Sequence, residues 1–311
     1  MGRMLLLGCT MSAGAVLAKI WFRGRRSTRT VRAGVLIPNP NDFHRKKQCI
    51  LDGGLDKLQV IADFDRTITK SFVNGKRGAS CHGVMESLQS LSDEYREATE
   101  ALFNKYFPIE TSPNLTKEEK IPIMTEWYGQ AHALLLKEGI TEEHISSAVR
   151  TANLELREGW PQLMQTLQSH QVPLLVFSAG IANVIHEVFA QKFGNVSSTT
   201  HIISNWLSFS DTGCVEGISE PLIHMFNKDS RHTKGTDYHK SVEARCNVIL
   251  LGDGLGDITM AEGISHNEVL KVGFLNDSVD KLLPKYTDVF DVIIVNDGSM
   301  EFVNDLIREI R

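Results

Sequence analysis

The sequence predicts an α/β protein: a doubly wound (Rossmann-like) parallel sheet carrying an inserted, all-helical block. Three observations lead to this fold class. Six short apolar runs alternate with helical stretches from residue 58 to the end of the chain. The runs are apolar on both faces, as strands of a parallel sheet covered by helices must be. Between the first and second runs the pattern is helical throughout, and it is too long for one crossover connection.

The strand predictions follow from short apolar runs that end in polar or glycine-rich turns. In chain order they are LQVIA at 58–62, VPLLVF at 172–177, THIIS at 200–204, NVILL at 247–251, LKVGF at 270–274 and DVIIV at 291–295. Helical patterns follow the second, fourth and last runs. Right-handed crossovers through these helices would place the runs as parallel neighbours in one sheet.

The segment between the first two strands is predicted to form a helical cap. Its candidate helices lie around 84–106, 117–137, 142–157 and 160–169. Thr116 followed by Glu119 has the spacing of a capping box, which predicts that a helix begins there. We therefore expect a core made of residues 51–79 and 168–311, and a cap made of residues 80–167.

Residues 1–50 are predicted to be an N-terminal extension outside the folded core. The apolar run from Met4 to Ala18 is shorter than the ~20 residues that span a membrane, so no stable membrane insertion is expected. Residues 1–41 contain 7 basic and no acidic side chains, with RGRR at 23–26. That composition is typical of an organelle transit sequence. The protein is nevertheless expected in the cytoplasm, with this segment as an untranslocated leader, and targeting to an organelle is the alternative.

The charge distribution excludes one class of partner. The whole chain has a formal net charge of −5, and residues 42–311 alone carry −12. A body this acidic is not expected to bind a nucleic-acid polymer, which requires a basic surface. An anionic substrate would need local positive charge, from a metal ion or from a lysine in a pocket.

The five cysteines are scattered and form no CxxC pair, so neither a disulfide framework nor a zinc site is expected.

Reactive side chains follow three of the predicted strands. These are DFDRT at 63–67, SAG at 178–180 and GDGLGD at 252–257. Each segment alone could be an ordinary turn or a helix cap. In an open α/β sheet, however, ligands bind beyond the carboxyl ends of the strands, where these segments would meet. Four carboxylates brought together repel one another, and Mg²⁺ with oxygen ligands would relieve that repulsion.

These segments resemble the motifs of the haloacid dehalogenase superfamily of phosphatases. Asp63-Phe64-Asp65-Arg66-Thr67 matches the first motif, DxDx[T/V], Ser178 matches the second and GDGLGD matches the fourth. Longer segments resemble the cytosolic 5′-nucleotidase III family of pyrimidine and 7-methylguanosine-phosphate nucleotidases. They are ADFDRTIT, GKRGASCH, EEKIPIMTEWY, VFSAGIANVIHEV, LIHMFNK, ILLGDGLGD and KVGFLND, spread over about residues 55–311.

The resemblance implies a role for each acidic residue. Asp63 would be the nucleophile that forms an aspartyl-phosphate. Asp65 would protonate the leaving 5′ oxygen and then activate the hydrolytic water. Mg²⁺ would be held by the carboxylates of Asp63 and Asp253 and by the main-chain carbonyl of Asp65. Asp257 would act on the metal through water.

The family also implies residues that hold the phosphate. The Ser178 hydroxyl and the Ala179 amide would bind phosphate oxygens at a helix N-terminus. Lys228 would neutralise phosphoryl charge and orient Asp63. Without the family match, Lys228 would be interpreted as a solvated lysine in a polar loop, which is the more common situation.

Base recognition is expected in the cap. Glu110 matches a family glutamate that hydrogen-bonds the base, and Trp127 and Tyr128 are candidates to stack on it. Trp127 could equally be part of the helical core of the cap.

One position departs from the family. Ala131 replaces a serine that takes part in nucleotide binding, so a hydrogen bond worth about 0.5–1.5 kcal/mol is missing. His82 and His132 could lie near the mouth of the site, but a lone histidine is more often structural.

The resulting hypothesis is a Mg²⁺-dependent, monomeric 5′-nucleotidase. Its substrates would be nucleoside 5′-monophosphates, such as CMP, UMP or 7-methyl-GMP. Two alternatives stay open: a phosphatase for another small phosphomonoester such as phosphoserine, and a nucleotide-binding protein without catalysis. Transfer of the phosphoryl group to a second nucleoside is a possible side activity, because any well-placed hydroxyl could replace water.

Overall fold

A computed structural model of the chain describes residues 29–112 and 114–311. The apolar run from Met4 to Ala18 and the basic cluster at 23–26 lie outside these residues, so the predicted targeting role is not tested by the structure. No helix of the described part combines the length and the apolar composition that crossing a bilayer requires.

An eight-stranded sheet forms the centre of the fold. The strands of the described chain are β1 (Arg29–Arg32), β2 (Val35–Ile37), β3 (Leu58–Ala62), β4 (Phe72–Val73), β5 (Lys76–Arg77), β6 (Leu174–Ile181), β7 (Thr200–Asn205), β8 (Leu207–Phe209), β9 (Val215–Ile218), β10 (Asn247–Gly252), β11 (Glu268–Leu275) and β12 (Val292–Val295). The sheet order is β1-β2-β12-β11-β10-β3-β6-β7, and β4–β5 and β8–β9 are separate hairpins. The six strands from β12 to β7 are parallel. All six predicted strands are therefore present, and the α/β fold class is confirmed.

Helices cover both faces of this sheet. The α-helices of the described chain, including those of the cap, are α1 (Pro40–Gly53), α2 (Cys81–Glu86), α3 (Asp93–Glu110), α4 (Lys117–Leu135), α5 (Glu142–Thr151), α6 (Trp160–Ser169), α7 (Ala182–Phe193), α8 (Asp237–Ser241), α9 (Val279–Val289) and α10 (Glu301–Glu309). The capping box at Thr116 and Glu119 begins α4 as predicted. Two expectations were too simple. The pattern at 84–106 divides into α2 and α3, and a short 3-10 helix, Asp257–Ala261, takes the place of the helix expected after β10.

Successive side chains of each strand point to opposite faces of the sheet, so the hydrophobic core has one part on each face. Val60 and Ala62 of β3 belong to the larger buried cluster, whereas Ile61 between them belongs to the cluster on the opposite face. All three side chains are at most 2% exposed. Since both faces are covered, the strands carry uninterrupted apolar runs, and this is why the sequence pattern identified them.

The prediction that residues 1–50 lie outside the fold is wrong for residues 29–50, since β1 and β2 belong to the central sheet. Strand β2 extends the sheet by antiparallel pairing with β12, with Leu36 opposite Ile293. Helix α1 follows, capped by the Asn39 side chain, and it buries Phe43 and Ile50. A three-residue strand is too short for its periodicity to stand out, and the basic composition of the preceding residues hid the boundary.

The inserted helices connect to the core through two neighbouring segments. The Lys70 amide donates to the Glu155 carbonyl (2.9 Å), and the Ala79 amide donates to the Asn153 carbonyl (2.9 Å). The connections therefore run side by side near residues 70–79 and 153–157. Helix α6, which was predicted to end the cap, instead contacts α10 of the core. Trp160 of α6 is fully buried. Because α6 packs against α10, the boundary drawn at residue 167 lies too late in the chain.

Candidate active site

The three reactive segments meet at the carboxyl edge of the sheet. Ala62, the last residue of β3, pairs with Leu251 of β10 on one side and with Val176 of β6 on the other. The segments that follow these strands consequently begin at the same level. They surround a cavity of about 190 Å³. Nine of the ten predicted site residues line this cavity, and the tenth, Trp127, lines the cavity beside it.

Three carboxylates and one ammonium group occupy the floor of the cavity. One carboxylate oxygen from each of Asp63, Asp253 and Asp257 lies within 4.8 Å of the other two. The Lys228 ammonium donates to Asp63 Oδ1 (2.5 Å) and to Asp257 Oδ1 (2.9 Å). The second oxygen of Asp257 accepts from the Gly254 amide (2.9 Å), which fixes this carboxylate against the glycine-rich turn. Three of the four carboxylates predicted to converge form this cluster, with a buried lysine beside it, and the fourth, Asp65, lines the same cavity.

Burial and mutual electrostatic interaction shift the pKa values of these acidic residues and of Lys228. Burial raises the pKa of Asp63 well above its ordinary value, the charges of Asp257 and Asp253 add to the rise, and Lys228 opposes it. Burial, and then the charge of Asp257, raise the pKa of Asp253 to about 7. Burial disfavours the charge of Lys228, but Asp257 and Asp63 outweigh that penalty and raise its pKa. Lys228 therefore stays protonated, and one lysine faces three acids.

Asp65 lies in a tight turn directly after the strand. The turn Phe64–Ile68 has a π-helical hydrogen bond, and Arg66 within it takes a left-handed conformation (φ +63°). The Cys81 amide at the start of α2 donates to Asp65 Oδ1 (2.9 Å). Burial raises the pKa of Asp65, and the Cys81 amide opposes the rise. A carboxyl group whose protonated form is favoured is suited to proton transfer.

Ser178 and Ala179 lie in the widened end of β6. The Ser178 side chain is 1% exposed, and its hydroxyl oxygen accepts from the Gly180 amide (3.0 Å). A Cβ atom on Gly180 would come within 2.7 Å of the Cβ of Cys81. Only glycine permits this close approach of the Ser178 segment to α2. Ser178 borders the same cavity as Asp63.

Lys228 shows what sequence reasoning alone could not decide. The composition around it is that of a polar loop, yet its side chain is 4% exposed. The Thr259 hydroxyl donates to the Lys228 carbonyl (3.0 Å), which attaches this loop to the 3-10 helix that begins at Asp257. The family resemblance predicted the contact with Asp63, and the geometry places the two groups together.

A second cavity of about 270 Å³ lies under the cap. Glu110, Tyr128 and His82 line both cavities, so the two are continuous around these side chains. Burial raises the pKa of Glu110. Ala131, the position that departs from the family, also lines the cap cavity, so the missing hydroxyl would have faced this space.

Trp127 is partly a packing residue and partly a lining residue. One face of its indole stacks on Tyr106, with centroids 5.6 Å apart and planes at 14°. Tyr106 is 1% exposed, which supports the core interpretation of this contact. The indole nevertheless borders the cap cavity, together with Phe103, a residue that is 49% exposed. One part of the indole therefore packs in the core of the cap and another part borders the cap cavity; stacking on a base stays a prediction.

His82 and His132 occupy different environments. His82 lines both cavities, while His132 is 3% exposed and lies behind it, with the rings stacked 6.1 Å apart. Neither ring nitrogen of His132 has a hydrogen-bond partner. Burial lowers the pKa of His132 to about 3, so the ring is neutral. His132 is structural, whereas His82 borders the site.

Sequence reasoning missed several residues that shape the two cavities. Phe103 and Glu86 border the cap cavity, and Cys81 holds Asp65. Asn205 and Arg157 hydrogen-bond the segments that carry the site residues. Single polar or aromatic residues within helices and at strand ends carry no pattern of their own, so no periodicity signal could have found them.

Comparison with known proteins assigns the chain to a family. The family model described as pyrimidine 5′-nucleotidase (UMPH-1) matches residues 66–311. The chain is 37% identical over 281 residues to the human 7-methylguanosine phosphate-specific 5′-nucleotidase, covering 90% of this chain and 93% of that protein.

Solved structures agree with this assignment. The crystal structure of cytosolic 5′-nucleotidase IIIB bound to cytidine superposes with a TM-score of 0.79 and 30% identity, covering 90% of this chain and 94% of that one. A haloacid dehalogenase family hydrolase from Salmonella enterica shares the fold, with a TM-score of 0.51, 14% identity and coverage of 86% and 81%. The chain belongs to the pyrimidine 5′-nucleotidase (UMPH-1) family of phosphoric monoester hydrolases, as its motifs predicted.

Proposed function

We propose that the protein is a Mg²⁺-dependent 5′-nucleotidase that hydrolyses nucleoside 5′-monophosphates through an aspartyl-phosphate on Asp63. One observation carries the proposal. A buried carboxylate paired to Lys228 lies on the floor of one cavity, and that cavity opens into a second one with aromatic walls. The first cavity suits a phosphate group and the second suits a base, so their junction matches the shape of a nucleoside monophosphate.

The chain's own residues supply the steps of the reaction. An Asp63 oxygen attacks phosphorus while the bond to the 5′ oxygen breaks, and Asp65 gives its proton to that leaving oxygen. A water molecule then attacks the aspartyl-phosphate, Asp65 takes the proton of that water, and inorganic phosphate leaves with Asp63 restored. Lys228 and Ser178 bind the phosphate oxygens throughout, because both side chains border the same cavity as Asp63.

The acidic residues fit a hard divalent cation. Three carboxylates within 4.8 Å of one another are the oxygen-rich environment that Mg²⁺ prefers. The pKa of Asp253, raised to about 7 by burial and by Asp257, reflects a cluster with too little compensating positive charge. Asp63 and Asp253 would hold the ion together with the Asp65 carbonyl, and Asp257 would act through water. Bound there, Mg²⁺ would neutralise charge on the phosphoryl group.

The cap cavity favours a base that carries positive charge. Two carboxylates, Glu86 and Glu110, border it, and no lysine or arginine of the described chain lines it. Its aromatic walls, Phe103, Trp127 and Tyr128, attract a delocalised cation through their ring faces. The 7-methylguanine base has a fixed positive charge, whereas cytosine and uracil are neutral. We therefore propose 7-methyl-GMP as the preferred substrate, with CMP and UMP as weaker ones.

A substrate panel tests this proposal. Phosphate release should be measured with CMP, UMP, GMP, 7-methyl-GMP, phosphoserine and p-nitrophenyl phosphate, with Mg²⁺ and with a chelator. We expect Mg²⁺-dependent turnover, with 7-methyl-GMP preferred over GMP by about tenfold or more, since an aromatic–cation contact contributes about 0.5–2 kcal/mol and a carboxylate adds to it. Equal turnover of GMP and 7-methyl-GMP would reject the charge argument. A preference for phosphoserine would reject the nucleotidase assignment, and absence of turnover would favour a binding protein.

Two further proposals concern the location and the oligomeric state of the protein. We propose that the protein acts in the cytoplasm, in line with the name of its structural relative, cytosolic 5′-nucleotidase IIIB. A fluorescent reporter fused to residues 1–50 would reject this if it accumulated in an organelle. We also propose a monomer, because one chain supplies every residue of the site; sedimentation showing a stable dimer would reject it.

A further inference from the structure

We propose that Asn205 is a positioning residue that holds the Ser178 segment and the Lys228 loop at a fixed separation. This inference rests on the proposed function of these two elements as the opposite sides of a phosphate site. Asn205 is the last residue of β7, at the edge of the sheet, and its side chain is fully buried. It does not line the catalytic cavity.

The amide of Asn205 connects two separate parts of the chain. Its Nδ2 donates to the carbonyls of Ala179 (3.0 Å) and Gly180 (3.2 Å), which belong to the Ser178 segment. The same nitrogen donates to the Ile223 carbonyl (2.9 Å), and Oδ1 accepts from the Ile223 amide (2.9 Å). The two N–H groups of Asn205 therefore serve three carbonyls, one N–H being shared, and the side chain is bonded to both segments.

The loop that begins at Ile223 leads directly to Lys228. The Asn227 side chain closes it by accepting from the His224 amide (2.7 Å) and donating to the Leu222 carbonyl (2.8 Å). Lys228 then reaches Asp63. A shift at Ile223 would thus be transmitted through a short, internally bonded loop to the ammonium group.

The Ser178 segment needs such an anchor, because regular strand pairing fails there. The β6–β7 ladder is regular up to Phe177, opposite Ile203, and resumes only at Ile181, opposite Asn205. Ser178, Ala179 and Gly180 therefore lack ladder partners. The Ser204 hydroxyl, which donates to the Gly180 carbonyl (2.8 Å), and the Asn205 amide replace the missing bonds. Buried carbonyls left without partners would be costly, so this segment is held by side chains.

The backbone groups around residue 205 require the donor and acceptor pattern of asparagine. Three carbonyls need N–H donors, and one amide needs an acceptor within the same side chain. Aspartate has almost the same shape but offers no donor, so three of the four bonds would be replaced by repulsion between oxygens. A serine keeps one donor and one acceptor but is shorter.

The test compares Asn205→Ala, Asn205→Asp and Asn205→Ser with the wild-type protein. The matched control is Asn304→Asp, because the Asn304 Nδ2 donates to the Gly159 carbonyl (2.9 Å) and neither residue lines either cavity. We expect the Asn205 variants to lower kcat and to raise both KM and the inhibition constant of inorganic phosphate, each on the order of tenfold, since misplaced binding groups weaken both binding and turnover. The control should change these constants less than about twofold.

A merely structural role gives a different result. Loss of folded protein would lower kcat in proportion to the folded fraction and leave KM and phosphate inhibition unchanged, which would overturn the proposal. Failure of all three Asn205 variants to fold would also overturn it, because Asn205 would then act on global stability.

A hydrogen-exchange measurement separates this proposal from the proposed function. Peptides covering 176–182 and 220–228 should exchange faster in the Asn205 variants than in wild type, while peptides from β10 and β11 stay unchanged. If wild-type protein hydrolyses no phosphomonoester, the proposed function fails, and this measurement still decides whether Asn205 holds the two segments together. Unchanged exchange in both peptides would overturn the proposal regardless of activity.

Discussion

Lys228 contacts Asp63 at 2.5 Å from a loop 165 residues further along the chain, and both side chains are almost completely buried. The same ammonium group binds Asp257, so a single cation is shared by two carboxylates of a three-carboxylate cluster. Removing one member of a buried ion pair is costly when its partner is left uncompensated. This shared arrangement determines what substitutions in the cluster should do.

Replacing the nucleophile should abolish turnover without unfolding the protein. The Asp63→Asn variant keeps the size of the side chain, but an amide does not form a stable acyl-phosphate, so kcat should fall by about a thousandfold or more. The variant also removes repulsion with Asp253 and Asp257, and Lys228 keeps its bond to Asp257, so the melting temperature should not fall. Phosphate release and thermal denaturation measure the two effects. Unimpaired activity would refute the assignment of Asp63.

Magnesium should stabilise the wild-type protein through the acidic cluster. A ligand that binds only the folded state at ten to a hundred times its Kd adds about 1.4–2.7 kcal/mol. Asp253→Asn should lose this stabilisation, whereas Asp277→Asn, whose carboxylate pairs with Arg77 outside the cluster, should keep it. Denaturation with and without Mg²⁺ measures the difference. Equal stabilisation of Asp253→Asn and wild type would place the ion elsewhere.

Glu110 should contribute to recognition of the nucleobase and not to phosphoryl transfer. Its carboxylate borders both cavities, and a hydrogen bond to a charged group contributes about 1.5–3 kcal/mol. Glu110→Gln should therefore lower kcat/KM for the preferred nucleotide by about tenfold or more, and for p-nitrophenyl phosphate by less than about twofold. Steady-state kinetics with both substrates give the ratio. Equal losses on the two substrates would contradict a role in base recognition.

His132 should make stability depend on pH. Burial lowers the pKa of His132 to about 3, against about 6.5 in an unfolded chain. Between these values the unfolded state binds the proton and the folded state does not, so stability falls as the pH decreases below about 6.5. Between pH 7 and pH 5.5 this amounts to about 1 kcal/mol.

The comparison of His132→Phe with wild type isolates that contribution. Urea denaturation at both pH values should show about 1 kcal/mol less pH dependence in the variant. Exposed His170 provides the control, as His170→Gln should leave the pH dependence unchanged. The same reduction in both variants, or in neither, would contradict burial as the cause.

Arg157 should stabilise the turn that carries Asp65. Its buried guanidinium donates to the Thr67 carbonyl (2.7 Å), the Gly298 carbonyl (2.7 Å) and the Arg66 carbonyl, and it pairs with Asp297 (3.1 Å). Arg157→Met would leave these carbonyls and Asp297 without their partner. We expect a loss of about 3–5 kcal/mol in the free energy of unfolding, measured by urea denaturation. A loss below about 1 kcal/mol would indicate that water replaces the guanidinium.

Much of the catalytic core could be predicted because its signals are local. Strands buried on both faces are apolar throughout, and this identified β3, β6, β7, β10, β11 and β12 from the sequence. Motifs at the ends of three of these strands then located Asp63, Ser178 and Asp253. The parallel topology brings strand ends together, so order along the sequence became proximity in space.

The boundaries of the cap and of the N-terminal part could not be predicted in the same way. Helix α6 has the same amphipathic pattern whether it covers the sheet or the cap, and only its contact with α10 decides. Strand β2 is three residues long, and its role depends on pairing with β12. A helical pattern shows which face of a helix is buried and does not show what that face is buried against.

The sequence by itself determined the parallel sheet, the acidic residues at its carboxyl edge and the family to which they belong, because these properties depend on neighbouring residues in the chain. The tertiary structure alone decided that Lys228 is buried, that His132 is structural, that Trp127 divides its ring between core and cavity, and that Asn205 connects two distant segments. Burial and the pairing of polar groups depend on residues far away in the sequence, and no local pattern records them.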